Sequence, residues 1–213
     1  LFLKAGGVES GAVELYFAAP RVAWLPDRPE PERGIGPAQL TLARLGFDAG
    51  LWDEVRASDK HALTGTDREA FYQLLAAVGR DRPQMLRTAA TKPFELVSLL
   101  EKPAQRHGEI GKLKGVARRV LRVPVSDVDV RVRLGVDYYY EVDLFLPLGD
   151  ANLLLGKDPT GAKNPVYRNA FPATLLVREL PKGLRESENQ HTEIAADAVF
   201  FKIWAYRSPY AGK

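Results

Sequence analysis

With 213 residues, 46% of them hydrophobic and 27% charged, the chain has an ordinary globular composition and is long enough to bury a core of its own. It contains no cysteine, which excludes disulfide scaffolds, thiolate-held zinc, iron–sulfur clusters and thiol nucleophiles, and which fits the cytoplasm and a bacterial cell envelope equally well. The formal charge is only +3 but is unevenly spread, net −2 over residues 1–101 and net +5 over the remainder.

In chain order, residues 12–24 hold Val13, Tyr16, Phe17, Val22 and Trp24 around Pro20, which predicts one or two short strands. The stretch from Pro26 to Pro37 is too rich in proline and glycine for a helix or a central strand and reads as a loop. Residues 38–60 read as helix interrupted at Gly46 and Gly50. Thr66-Asp-Arg-Glu69 has the form of a capping box. It predicts a helix carrying Phe71, Leu74, Leu75 and Val78 on one stripe and ending in a left-handed turn at Gly79. A short helix with Phe94, Val97, Leu99 and Leu100 follows Pro93 and stops at Lys102-Pro103.

After residue 105 the period changes from 3.6 to 2. Ile110–Val123 reads as a long curved strand with a bulge at Gly115. The alternation of Val128, Val130, Val132 and Leu134 predicts a second strand, and that of Tyr138, Tyr140, Val142, Leu144 and Leu146 a third. Ala173–Leu180, closed by Pro181-Lys-Gly183, and Ile194–Tyr206 complete the set. Strands joined by turns with little helix between them argue for an α+β protein. Its N-terminal mixed or helical segment, 1–104, would pack on a C-terminal antiparallel β-barrel, 105–213. Gly111-Lys-Leu-Lys-Gly-Val-Ala-Arg-Arg-Val120 resembles the first strand of an OB-type barrel, in which a glycine or bulge lets one strand serve both sheets. The closing fifth strand would come from the N-terminal half or from beyond Lys213.

Three pieces resemble an uncharacterised bacterial family without an assigned activity. They are His107-Gly108 leading into Gly115-Val-Ala-Arg-Arg119, then Gly135-Val-Asp-Tyr-Tyr-Tyr-Glu141, and Phe200-Phe-Lys-Ile-Trp-Ala-Tyr206. The resemblance implies an OB-like or related β fold and association with the envelope, and it implies no catalytic residues.

No motif for chemistry survives inspection. Gly156-Lys-Asp-Pro-Thr-Gly-Ala-Lys-Asn164 lacks the terminal Gly-Lys-Ser/Thr of a phosphate-binding loop, so 150–166 is expected to be a mobile inter-strand loop that binds no nucleotide. His61, His107 and His191 are scattered, and His191-Thr-Glu193 alone is a poor metal site. Asp127 and Asp129, read on a strand, would share a solvated face. No nucleophile elbow and no dinucleotide fingerprint occur. No cofactor and no metal are expected.

What remains is a basic run, Lys102, Arg106, Lys112, Lys114, Arg118, Arg119 and Arg122, opposed within Lys102–Val123 only by Glu109. It is either a solvated strand face, its charges balanced by Glu109, Glu141 and Asp143, or an anion-binding one. Simple alternation puts Lys112, Lys114, Arg118 and Arg122 on one side and Arg119 on the other, unless a bulge changes the phase. Tyr139 and Phe201 point opposite to Tyr138, Tyr140, Phe200 and Trp204; both sets read as core, with a stacking platform as the alternative. Lys202, on the Phe200 and Trp204 face, fits a sealed core least well and would snorkel, pair with Glu141 or touch a ligand.

The leading expectation is a non-enzymatic interaction module with a protein partner, in an envelope assembly. The first alternative is a binder of single-stranded nucleic acid or oligosaccharide that uses Lys112, Lys114, Arg118, Arg119, Tyr139, Lys202 and Trp204. The second is an enzyme built on Glu141 and Asp143. No apolar run reaches the ~18 residues of a membrane span. The chain opens at Leu1 and reads as a fragment or processed form, so membrane association would run through a segment not present in it.

Overall fold

The structure is a computed structural model that describes residues 16–80, 84–154 and 166–204. Among them lie six α-helices and four strands: α1 (Pro37–Arg44), α2 (Leu51–Ala57), α3 (Arg68–Gly79), α4 (Met85–Ala89), α5 (Leu96–Glu101), β1 (Ile110–Pro124), α6 (Val128–Leu134), β2 (Tyr138–Leu154), β3 (Val166–Val177) and β4 (Thr192–Val199). The α+β class holds. The strands form one antiparallel sheet in the order β3-β2-β1-β4, and among the described residues no ladder joins β3 to β4, so the sheet is open where a closed barrel was expected. The N-terminal half supplies no closing strand among the described residues, and residues 16–24, part of the stretch read as strand, are irregular with Tyr16 and Phe17 exposed.

The largest departure from the sequence reading is α6. Its alternating valines imitate a strand, yet its ends are those of a helix. Asp127 accepts the Val130 N–H at 3.1 Å, and Gly135 takes φ +67°, a left-handed closure that only glycine adopts without strain. Val130 is buried, while Val128 and Val132 face solvent.

α3 is present with Phe71, Leu74 and Leu75 buried and Val78 half-buried, but its capping box does not form. Asp67, not Thr66, precedes the helix, and Glu69 turns to Gln73 and Arg133, charge-assisted partners that outcompete a backbone amide. Gly79 stays inside the helix, with no left-handed turn there. The helices on either side of Gly46 and Gly50 and the short helix after Pro93 appear as read, except that Phe94 precedes that helix, lying against Gly111, and Val97 faces solvent. The ribbon extends further into the expected 150–166 loop than the sequence suggested, since 152–154 pair with 166–168; residues 155–165, including Gly156 to Lys163 of the phosphate-loop lookalike, lie outside the described residues. β3 ends at Val177 rather than Leu180. β4 ends at Val199, after which Phe200–Trp204 leave the ladder.

β1 pairs with β4 over Ile110–Ala117 and with β2 over Val116–Pro124. Its bulge falls between Ala117 and Arg119, two residues past Gly115. Gly115 itself permits a close approach. A Cβ there would stand 2.9 Å from the Phe145 carbonyl oxygen, so β1 and β2 come as near as they do only because the position is glycine. The strand bends sharply. Phe71 on α3 lies 5.5 Å from Tyr139, beside the end of β1, and 6.1 Å from Phe201, just past the segment that pairs with its beginning. A straight strand would hold those ends roughly 40 Å apart.

Four apolar clusters result among the described residues, the smallest being Ile35, Leu40 and Ala49 with Trp24 against them. One joins α1, α2, α3 and α4 to Ile110, Val199 and Phe201. The second joins α3 and α6 to Tyr139 and Val125. The third lies on the other side of the sheet, where Ala117, Val120, Val142 and Leu144 pack with Leu180 and Leu184. The first two run across the boundary expected near residue 104.

Candidate functional site

Register and the bulge together define the exposed sheet face. Lys112 stands opposite Asp197, Val116 between Glu193 and Phe145, and Arg119 opposite Asp143. The bulge brings Arg118 onto the same face, its guanidinium 5.6 Å from the centre of the Phe145 ring. Arg122 lies on the other face, 3.9 Å over Tyr138. The basic residues therefore divide differently from simple alternation: Lys112, Lys114, Arg118 and Arg119 together, Arg122 apart.

Two of the four cations on this face are paired in place. Lys112 Nζ is 3.0 Å from Asp197, and Arg119 Nε donates to Asp143 at 2.8 Å, which raises the guanidinium's affinity for its proton. Glu109 pairs with Arg106 instead, and burial pushes its carboxyl up against that cation. Phe145, 41% exposed, is the aromatic beside the basic groups. Tyr139 is not: it is buried against Phe71 and Tyr72 under α3, its hydroxyl pushed up by that burial and by the neighbouring Glu141. Asp143 is committed to Arg119, and Glu141 meets the Tyr139 hydroxyl at 3.5 Å, so the two do not form a free carboxylate pair. Asp127 and Asp129, far from a solvated strand face, pair with Arg68 and Arg133.

Lys202 and Trp204 belong elsewhere, on the segment that straps the sheet to the helices. Phe200 exchanges backbone hydrogen bonds with Gly108 and Glu109, and the Lys60 N–H donates to Ile203. Lys202 does not reach Glu141. Its ammonium donates to Asp67 Oδ2 at 2.7 Å, Ser58 Oγ at 3.0 Å and the Ser58 carbonyl at 2.5 Å. Asp67 also accepts from the Thr64 N–H and the Ser58 hydroxyl. Burial pushes the Asp67 carboxyl up, but these donors outweigh it, and the net shift is down. Ser58 and Lys202 thus have the separation of a serine–lysine pair, but the Lys202 nitrogen is held by Asp67 and Ser58 and the group is sealed from solvent. Trp204 stands half-exposed after this strap, at the α2 end of the molecule.

Beside the strap, Asp59 Oδ1 accepts from His107 Nε2 at 3.2 Å and from the Ile203 N–H at 3.0 Å. His107 stacks between Trp52 and Phe200. Burial lowers its pKa; Asp59 opposes that, and the charges of Arg56 and Lys202 add to it. Neither Asp67 nor Asp59 carries a local motif, and only the odd position of Lys202 and the histidine in His107-Gly108 hinted at this cluster.

Among the described residues no group of three His, Asp or Glu side chains is placed to hold a metal ion, and no helix is long and apolar enough to cross a membrane. The chain matches no known family model, no curated protein and no solved structure.

Proposed function

We propose that this protein is a non-enzymatic interaction module that docks a protein partner on the exposed face of β1, β2 and β4. The observation that supports the reading is the composition of that face. Phe145 lies under Arg118, and paired charges, Lys112 with Asp197 and Arg119 with Asp143, surround them. An aromatic and arginine centre with a charged rim is what protein interfaces select, whereas a phosphate-binding groove needs unpaired cations. The bent, bulged β1 shared by β2 and β4 supports an OB-like reading of the fold, and the resemblance in His107-Gly108 and the tyrosine run supports a bacterial envelope assembly as the setting.

A photo-crosslinking residue in place of Phe145 should yield one discrete protein adduct in the cells of origin, abolished by Arg118→Glu. The rival is a single-strand nucleic-acid binder, favoured by Lys114 and Arg118, which make no ion pair among the described residues. A filter-binding assay at low salt separates the two. We expect no retention of an oligonucleotide; tight retention falling with salt at a slope of about −0.7 per phosphate, and lost in Lys112→Glu/Arg118→Glu, overturns the protein-partner reading.

A further inference from the structure

We infer that the outer edge of β4 accepts an extended segment of another protein, one in which basic and apolar side chains alternate, and adds it to the sheet as a further strand. The contact is made by the backbone of an edge strand, so it stands apart from the docking face around Phe145 and Arg118. The hydrogen bonding of β1 decides which way the β4 backbone points. The Lys112 N–H donates to the Lys92 carbonyl at 2.8 Å, and the Lys112 carbonyl accepts from the Phe94 N–H at 3.2 Å, so both groups are turned away from β4. Lys112 and Asp197 are therefore a pair that exchanges no backbone hydrogen bonds, and the N–H and carbonyl of Asp197 point outward. Alternation turns Ala195 and Glu193 the same way, and Phe200 donates inward to Glu109 as that phase requires. None of the three outward-facing residues has a backbone partner on that side among the described residues. Their N–H and carbonyl groups line about 13 Å of open edge.

The opposite edge of the sheet is guarded and this one is not. β3 carries Pro172, which has no N–H to offer, and Asn169 at φ +66°, which breaks the line of the strand. β4 runs from Thr192 to Val199 with no proline and no left-handed residue, and Ala195, Ala196 and Ala198 keep the approach clear.

Side chains select the occupant. Glu193 is exposed and has no ion pair among the described residues, and Asp197 meets Lys112 through Oδ1. Both stand on the exposed face with Ala195 between them. On the opposite face Ile194 packs in the third cluster with Leu113. A strand laid beside β4 thus meets two carboxylates four residues apart on one side and an apolar surface on the other. That fits lysine or arginine at its first and fifth positions and branched apolar residues at its second and fourth. A second copy of this chain fits worse, because antiparallel pairing of two β4 strands about Ala195 sets Glu193 against Asp197 at both ends.

The test is amide exchange and NMR titration of the isotope-labelled full chain with the end-capped peptide Gly-Lys-Val-Thr-Val-Lys-Gly, beside the same peptide with glutamate for lysine. Without peptide, the amides of Glu193, Ala195 and Asp197 should exchange fast while those of Ala196 and Ala198 are protected. The basic peptide should protect the first three saturably, with a Kd of roughly 1 mM or tighter. Ala195→Pro removes an outward N–H and keeps the bonds to β1, and should abolish binding. Glu193→Lys, a change at an exposed position, should weaken it at least about tenfold. Absence of saturable protection, equal binding of the acidic peptide, or indifference to both substitutions each overturns the assignment. Protection that rises with protein concentration alone, together with a doubled mass, gives the edge to a second copy and overturns it too. The Phe145 adduct reports on the face alone, so either reading can fail without the other.

Discussion

Lys202–Asp67 and Arg119–Asp143 are the same chemistry in opposite surroundings. The first pair is 2.7 Å long with side chains 2% and 0% exposed; the second is 2.8 Å long with side chains 41% and 36% exposed. In water the attraction is screened, and ordering two flexible side chains offsets most of it. In the interior each charge has lost its hydration, and the pair is tolerable because every oxygen finds a donor: Thr64 on Oδ1, Ser58 and Lys202 on Oδ2. The lesson is that bond length says little about worth. What matters is what each charge would be left with if its partner were removed.

Removing the partner is the largest test. Lys202→Met should cost about 3–5 kcal/mol in urea unfolding by stranding Asp67, and Lys202→Met/Asp67→Leu should recover much of it. If the double variant is as unstable as the single one, the pair contributes more than mutual compensation. Glu69 is the intermediate case. It accepts two bonds of 2.8 Å from Arg133, one of 2.9 Å from Gln73, and pairs with Arg21 at 2.8 Å. Arg133, working against burial and helped by Gln73 and Arg21, holds its carboxyl at about 2, below the ordinary 4.5. The folded value lies below the unfolded one, so the stabilisation is complete above about pH 5 and is lost as the pH falls from there towards 2. We expect a loss of about 2–3 kcal/mol across that window, shallower in Glu69→Gln; an unchanged slope would remove Glu69 from the acid response.

Two smaller effects concern the exposed face. Gly115→Ala should cost about 1–3 kcal/mol, since its Cβ would press on the Phe145 carbonyl and spread β1 from β2; a neutral result would show that the ladder there yields. Arg119→Ala should cost about 0–1 kcal/mol, less again in high salt. A loss above about 2 kcal/mol would place that pair with the buried one.

How much of this was legible follows the range of the interactions. Local signals worked: α1 and α2 on either side of two glycines, the α3 stripe, and the alternation of β1 and β2 all rest on neighbours within a few residues. α6 failed because alternating valines and arginines satisfy a strand pattern, while Asp127 and Gly135, the capping residues that decide otherwise, are single positions at its ends. The capping box failed because Glu69 is drawn to Arg133, 64 residues away. The open sheet was hidden because closure is a property of β3 and β4 together. Lys202 was recognisable as misplaced in an apolar strand, but its partner is 135 residues distant and nothing in either local sequence names the other.

Phe201 sits within ring-contact distance of Trp52 on one side and Phe71 on the other, packed against the helical cluster and the α3–α6–sheet cluster at once. A side chain shared in this way makes the two clusters hard to melt separately, because releasing either uncovers the ring for both. Amide protons of α2, in the first cluster, and of α6, in the second, should therefore exchange through the same global opening, with a common free energy, as parts of one cooperative unit rather than two.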